Sequence, residues 1–363
     1  MVRIPGLDLV SPYTGHPFGG FCSIPPKLNE IGSIRSSEKF ALDFEKKPRP
    51  AISLTQGHDS ENSKNVSLVV YGEIQDPDDE LTDILLEVDI IKSLNHENVL
   101  KFYEIISGPK VTDVALVFEP FGIVMTRIME EKIGKLYNPP VVKTIMRDLF
   151  TALAYLHKNG IIHRDIQPDN ILFSSSGVLK LWNFRNAIIF GPKPRKLKVS
   201  DLRYQSPELL LETMVYNESV DIWSANCIFA HLLLERPIFP RNGKENVLHS
   251  IFKLLGFPMK EVWEEFFDYP YIQDFMIFSG YKYNNLDKYF HKFCDREISP
   301  LAVNLLHKCF RYNPEIRLGA ELCLQHPYFS EDPKACPIEE IAKLKEEANI
   351  YRKIRIVKEK KRI

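Results

Sequence analysis

His163-Arg164-Asp165-Ile166-Gln167-Pro168-Asp169-Asn170 is followed at Leu181 to Arg185 by Leu-Trp-Asn-Phe-Arg. Asp165 puts one carboxylate, and Asn170 one amide, into this loop. Working outward, Val141 to Asn159 has the apolar period of a long amphipathic helix leading into this loop. Val66 to Tyr71 reads as a β-branched strand. Asp78 to Leu94 reads as a helix, with Leu81, Ile84, Leu85, Val88 and Ile91 at helical spacing and acidic residues at its start. Leu28 to Glu45 alternates like strands, and Pro48 to Asn65 reads as a polar loop. After Phe121 the pattern is mainly helical. The architecture expected is α+β: a small β-rich lobe followed by a larger helical one.

The chain has 363 residues and a formal net charge of −1, enough length for two lobes and no global basic surface for nucleic acid. Ala225 to Leu234 is too short and interrupted to cross a bilayer, and residues 1–20 lack the basic-then-apolar order of a signal peptide. An intracellular protein, in nucleus or cytoplasm and without a membrane, is expected. The six cysteines, Cys22, Cys227, Cys294, Cys309, Cys323 and Cys336, form no CxxC pair and indicate core or reduced thiols rather than a zinc site.

The loop resembles the H-R-D-L-x-x-x-N catalytic loop of eukaryotic protein kinases, and Leu181 to Arg185 occupies the place of their D-F-G. The resemblance covers residues 28–331 and points to the cyclin-dependent kinase group. LLEVDIIKSLNHENVLKFYEI (85–105) is similar to that group's αC helix and next strand, and LVFEPF (116–121) to its hinge. RYQSPELLL (203–211), VDIWSANCIFAHLLLERPIFP (220–240), IFKLLGFPMKEVW (251–263) with DYP (268–270), and RYNPEIRLGAELCLQHPYF (311–329) follow in the family's order. The implied organisation is an extension at 1–27, a kinase-like domain at 28–331 with its small lobe at about 28–119 and its large lobe at about 122–331, and a helical, basic tail at 332–363.

The resemblance implies ATP and Mg²⁺ as cofactors, with contacts at Gly32, Val69, Glu87, Phe118 and Glu119, metal positions at Asn170 and Asn183, and Asp165 as base. Several of these positions depart from the pattern. Counting back eighteen residues from Glu87, the match to the αC glutamate, puts Val69 where a phosphate-holding lysine belongs. Lys64 lies an odd number of residues away, so a regular strand points it to the other face. Ile31 to Ser36 keeps only Gly32 of G-x-G-x-x-G, and Gln167 replaces a catalytic-loop lysine. Losing one preorganised donor costs roughly 10²- to 10³-fold in rate. The framework positions are kept: Ile91, His163 and Phe184 match the apolar column joining the lobes, Asp221 the aspartate that fixes the catalytic loop, and Glu208 with Arg317 a buried ion pair.

The resemblance also places Lys196 where an activating phosphothreonine often stands, within the basic run Gly191 to Lys198. That run is either a solvated loop or a receptor for an acidic or phosphorylated partner. Leu81, Ile84 and Leu85 form either a packed helix face or an apolar ridge for a cyclin-like partner. Ile338, Ile341, Leu344 and Ala348 give the tail a helical stripe, ahead of Arg352, Lys353, Arg355, Lys358, Lys360, Lys361 and Arg362, which could contact nucleic acid or stay solvated. The reading is a degenerate, pseudokinase-like scaffold that binds protein. The alternatives are an atypical active Ser/Thr kinase, using Asp165 with Asn170 and Asn183 as weak metal ligands, and a nucleotide-binding switch without transfer.

Overall fold

The computed structural model describes residues 35–36, 52–60, 62–71, 77–107, 114–191, 200–213, 216–269, 272–294 and 296–360. The small lobe holds β1 (Arg35–Ser36), β2 (Ile52–Asp59), β3 (Lys64–Tyr71), α1 (Pro77–Ile91), β4 (Phe102–Ser107) and β5 (Val114–Phe118), with the sheet in the order β1-β4-β5-β3-β2. Pairing in β2 and β3 runs from Ile52 opposite Tyr71 to Asp59 opposite Lys64, so the segment expected as a polar loop is mostly an edge strand. Its alternation of Ile52 and Leu54 with small polar residues hid the strand, because an edge strand needs little apolar content on its open side.

Strand alternation divides this sheet into two faces. Val66, Leu68, Val70, Ala115 and Val117 pack together with Ile106 on one side. Val69, Tyr71, Leu116 and Phe118 face the other way, into a core shared with α1 and the large lobe. Ile84, Val88 and Ile91 of α1 are buried there; of the ridge considered for a partner, Ile84 lies in this core, Leu81 packs against it half-buried, and Leu85 is buried outside it.

The large lobe continues with β6 (Ile123–Val124), α2 (Met125–Glu130), α3 (Pro139–Lys158), β7 (Ile161–Ile162), β8 (Ile171–Phe173), β9 (Leu179–Leu181), β10 (Ile188–Ile189), α4 (Pro207–Leu210), α5 (Ser219–Leu234), α6 (Lys244–Leu255), α7 (Ile272–Phe275), α8 (Leu286–Phe293), α9 (Pro300–Cys309), α10 (Ala320–Leu324) and α11 (Ile338–Lys360). Every residue of α5 is buried, including Asp221, as expected of a mainly apolar helix at a domain centre. No helix among the described residues is long and apolar enough to cross a membrane.

Two charged anchors hold this lobe. Arg317 makes a two-pronged pair with Glu208, Nη1 to Oε1 at 2.7 Å and Nη2 to Oε2 at 3.1 Å, and lies over the ring of Trp223. Lys143 is buried in α3 and donates to the carbonyls of Glu331 and Pro333 at 2.9 and 2.8 Å, fixing the chain as it leaves the lobe. From there α11 buries Ile341, Leu344 and Ala348 against the lobe and pairs Glu347 with Lys135. The tail's apolar stripe is thus covered intramolecularly. The side chains of the basic positions from 351 onward lie outside the described residues.

Candidate functional site

Asp221, buried at the start of α5, builds the site from below. Its Oδ2 accepts the backbone N–H of His163 at 2.9 Å and its Oδ1 that of Arg164 at 2.8 Å, which fixes the turn presenting Asp165. His157 meets the same carboxylate at 3.0 Å. Arg164 takes a left-handed φ of 60° and Asn183 one of 64°, a conformation that costs a non-glycine residue energy and that asparagine tolerates better than most. His163 packs edge-on against Phe184 with ring centroids 4.9 Å apart, and Ile91 is buried in the same core.

At the centre, Asp165 is nearly buried, and that burial pushes its carboxyl up to about 6 against hydrogen bonds from Asn170, Asn186 and Gln167. Gln167 donates its amide to Asp165 Oδ1 at 2.8 Å, so it serves the base rather than reaching outward. Asn170 donates to the Asp165 carbonyl at 2.7 Å, and its own side-chain oxygen accepts from Asn183 Nδ2 at 2.9 Å. The two amides placed to hold a metal are therefore bonded to each other. A divalent cation prefers several charged oxygens, and neither amide supplies one. Among the described residues, no group of three or more His, Cys, Asp or Glu gathers to hold a metal. Mg²⁺ does not fit the donor set present.

The small-lobe side is closed in the same manner. Ser67 lies opposite Phe118 and Val69 opposite Leu116, so Ser67, Val69 and Tyr71 share the face toward the large lobe. Val69 is buried and apolar. Glu87 turns instead to Tyr71, whose hydroxyl donates to Oε2 at 2.6 Å, while Oε1 accepts the Phe184 backbone N–H at 3.1 Å. Burial, then the charge of Glu87, raises the Tyr71 phenol well above its ordinary value, so it stays a donor. Lys64 is exposed at the start of β3.

Between the lobes, Phe118 is buried with its ring edge-on to Phe102, and Glu119 is tied to Lys180 Nζ at 2.6 Å and to the Lys101 N–H at 2.9 Å. The Phe121 N–H donates to Ser67 Oγ at 3.0 Å. Trp182 is buried and its indole Nε1 donates to the Asp169 carbonyl at 2.9 Å. Tyr71, Ser67 and Trp182 were not singled out from the sequence. Only the bulky residue ahead of Asn183 carried a local signal, since the other two matter through strand register.

Gly32 and Lys196 lie outside the described residues. Strand β1, three residues beyond Gly32, pairs with β4 on the edge of the sheet opposite β2.

Comparison with known proteins gives a consistent picture. The sequence pattern of the Protein kinase domain matches residues 54–329. The chain is 34% identical over 250 residues to Cyclin-dependent kinase 11 of Dictyostelium discoideum, covering 68% of each protein. It is 31% identical over 323 residues to Cyclin-dependent kinase 10 of Homo sapiens, covering 87% of this chain and 86% of that protein. Among solved structures it is similar to a chain of the yeast RNA Pol II CTD kinase CTDK-1 complex, with a TM-score of 0.69 and 26% identity, covering 82% of this chain and 98% of that one.

Proposed function

The chain belongs to the protein kinase family, in its cyclin-dependent kinase group, and from that premise we propose that it is a non-catalytic member that works by binding another protein. The observation that carries this reading is the strand face turned to the large lobe: Val69, buried and apolar, stands two residues before Tyr71, whose hydroxyl donates to Glu87. A phenol and a valine supply no cation to phosphate, and phosphoryl transfer depends almost wholly on positioning and charge stabilisation. Asn183 and Gln167, spent on Asn170 and Asp165, remove the other polar groups that would act on the transferred group. The kinase-like domain is taken as 28–331 and the helical, basic tail as 332–363, with Ile341, Leu344 and Ala348 packed on the large lobe. The named relatives and the CTD kinase neighbour support a cyclin-like partner and a nuclear location.

One observation favours an active Ser/Thr kinase as the second reading. Asp165 keeps a carboxyl raised to about 6, near the value of a working base, and Arg185 lies close enough to Tyr71 to act on its charge. The deciding measurement is phosphate transfer from ATP to a generic basic protein, with Mg²⁺ or Mn²⁺, using purified protein and a pulled-down fraction carrying its partners. No transfer that depends on Asp165 is expected. Transfer abolished by Asp165→Asn would establish the second reading.

A further inference from the structure

An adenine nucleotide lying between these lobes would need open backbone groups for the edge of its base and an empty flat space for its ring. Phe121, in the segment joining the lobes, has its N–H taken by Ser67 Oγ at 3.0 Å, and its carbonyl accepts from Gln56 Nε2 at 3.4 Å. Ser67 is fully buried in β3, and its hydroxyl oxygen is satisfied by that N–H. On the large-lobe side, Trp182 lies between β9 and Asn183, and its indole is buried against the catalytic-loop backbone at Asp169. An indole is a flat bicyclic ring with one N–H donor, close to a purine in size. It takes a carbonyl lying between the base Asp165 and the metal position Asn170.

We propose that Ser67, at the segment joining the lobes, and Trp182, at the catalytic loop, form a built-in plug, filling the space between the lobes from its two sides so as to exclude adenine nucleosides and nucleotides. The proposal rests on the non-catalytic reading of this same site and supplies its physical cause on the base side, independent of the phosphate side. A ligand must break the Ser67 bond to Phe121 and expel an indole that is already hydrogen-bonded. Both losses fall on groups that are satisfied without it, so adenine gains no net hydrogen bond by entering. The pairings at Phe121 and Asp169 tie β3 to the segment joining the lobes and the residue after β9 to the catalytic loop.

Calorimetric titration of the full chain with adenosine tests this, because adenosine carries no phosphate and its binding ignores Val69, Gln167 and Asn183. The proteins compared are the wild type, Ser67→Ala, Trp182→Gly and the double variant, each first shown to melt cooperatively. Wild type is expected to show no saturable binding up to about 1 mM, a ceiling near the weakest affinity worth calling specific. Ser67→Ala frees one donor and is expected to tighten binding roughly fivefold, the worth of one hydrogen bond. The double variant is expected to bind at least about tenfold more tightly than wild type. If Trp182→Gly does not fold, Trp182→Leu, which keeps a buried apolar side chain, takes its place in the double variant. A folded double variant that binds no better than wild type overturns the plug, as does wild type binding equal to it. Phosphate transfer measured on the same preparations separates the two claims. Wild type that binds adenosine but shows no Asp165-dependent transfer sinks the plug and leaves the non-catalytic reading standing, whereas Asp165-dependent transfer sinks both.

Discussion

Tyr71 shows how one side chain can keep a buried carboxylate after its family partner is gone. Glu87 is 3% exposed and Tyr71 2%, so their 2.6 Å bond is made out of water. Tyr71→Phe removes the hydroxyl and nothing else, leaving Glu87 one partner short. A hydrogen bond to a charged group is worth about 1.5–3 kcal/mol, and urea unfolding is expected to show a loss of that size with an unchanged slope. Asp148, in α3, carries the opposite kind of burden: burial pushes its carboxyl up to about 6 against the pull of Arg147 and the Leu179 backbone. The folded chain then binds that proton more tightly than the unfolded one. Stability from this group is present at pH 4, falls as pH rises toward about 6, and the full cost persists above it. Asp148→Asn removes the titration. Its stability relative to wild type is expected to improve by of order 2 kcal/mol between pH 4.5 and pH 7.5, measured by unfolding across that range. A gap that stays constant with pH would show that Asp148 titrates as an ordinary surface carboxylate.

At the scale of elements, the parts readable in the sequence are those whose signal is local. The helix expected at Asp78 to Leu94 is α1 at Pro77–Ile91, and the one at Val141 to Asn159 is α3 at Pro139–Lys158. Both have an apolar period set by one buried face. Glu208 and Arg317, far apart in sequence, were matched through the family's order, and they meet at 2.7 Å. Strand β2 escaped because its polar alternation imitates a loop. The Tyr71–Glu87 and Ser67–Phe121 contacts escaped because they depend on which strand residues stand opposite one another, a matter of sheet register that no local run encodes. The tail stripe was legible as a helix, but not what it would cover. Gly177, with φ at 94°, brings the β8–β9 turn so close to α11 that a Cβ there would stand 2.3 Å from the Ile338 carbonyl and 2.7 Å from the Ala342 nitrogen. Those neighbours are backbone and cannot swing aside. Gly177→Ala is therefore expected to cost about 2–4 kcal/mol through strain and lost helix packing. Amide exchange should then speed up in residues 338–348 ahead of the rest of the large lobe.

Taken whole, the molecule joins its lobes through contacts that need no ligand. The Leu100 N–H donates to the Leu181 carbonyl at 2.8 Å, the Leu181 N–H to the Asn98 carbonyl at 2.9 Å, and Asn98 Nδ2 to the Leu179 carbonyl at 3.0 Å, stitching the chain after α1 onto β9. Lys180 pairs with Glu119 beside them, and Glu87 holds the Phe184 N–H from the small lobe. With both lobes sharing one apolar core, unfolding is expected to be a single transition in the absence of nucleotide. The chain's three tryptophans, at 182, 223 and 263, all lie in the large lobe or at its face with the small one. Their fluorescence therefore reports that lobe, while far-ultraviolet circular dichroism reports both. Asn98→Ala removes one stitch and leaves a buried carbonyl without its donor, a cost of about 1–3 kcal/mol. The two signals are expected to shift together by that amount and stay superimposed. Should circular dichroism change first, the small lobe would be opening on its own, and the idea that this cleft is held shut by the protein's own side chains would lose its basis.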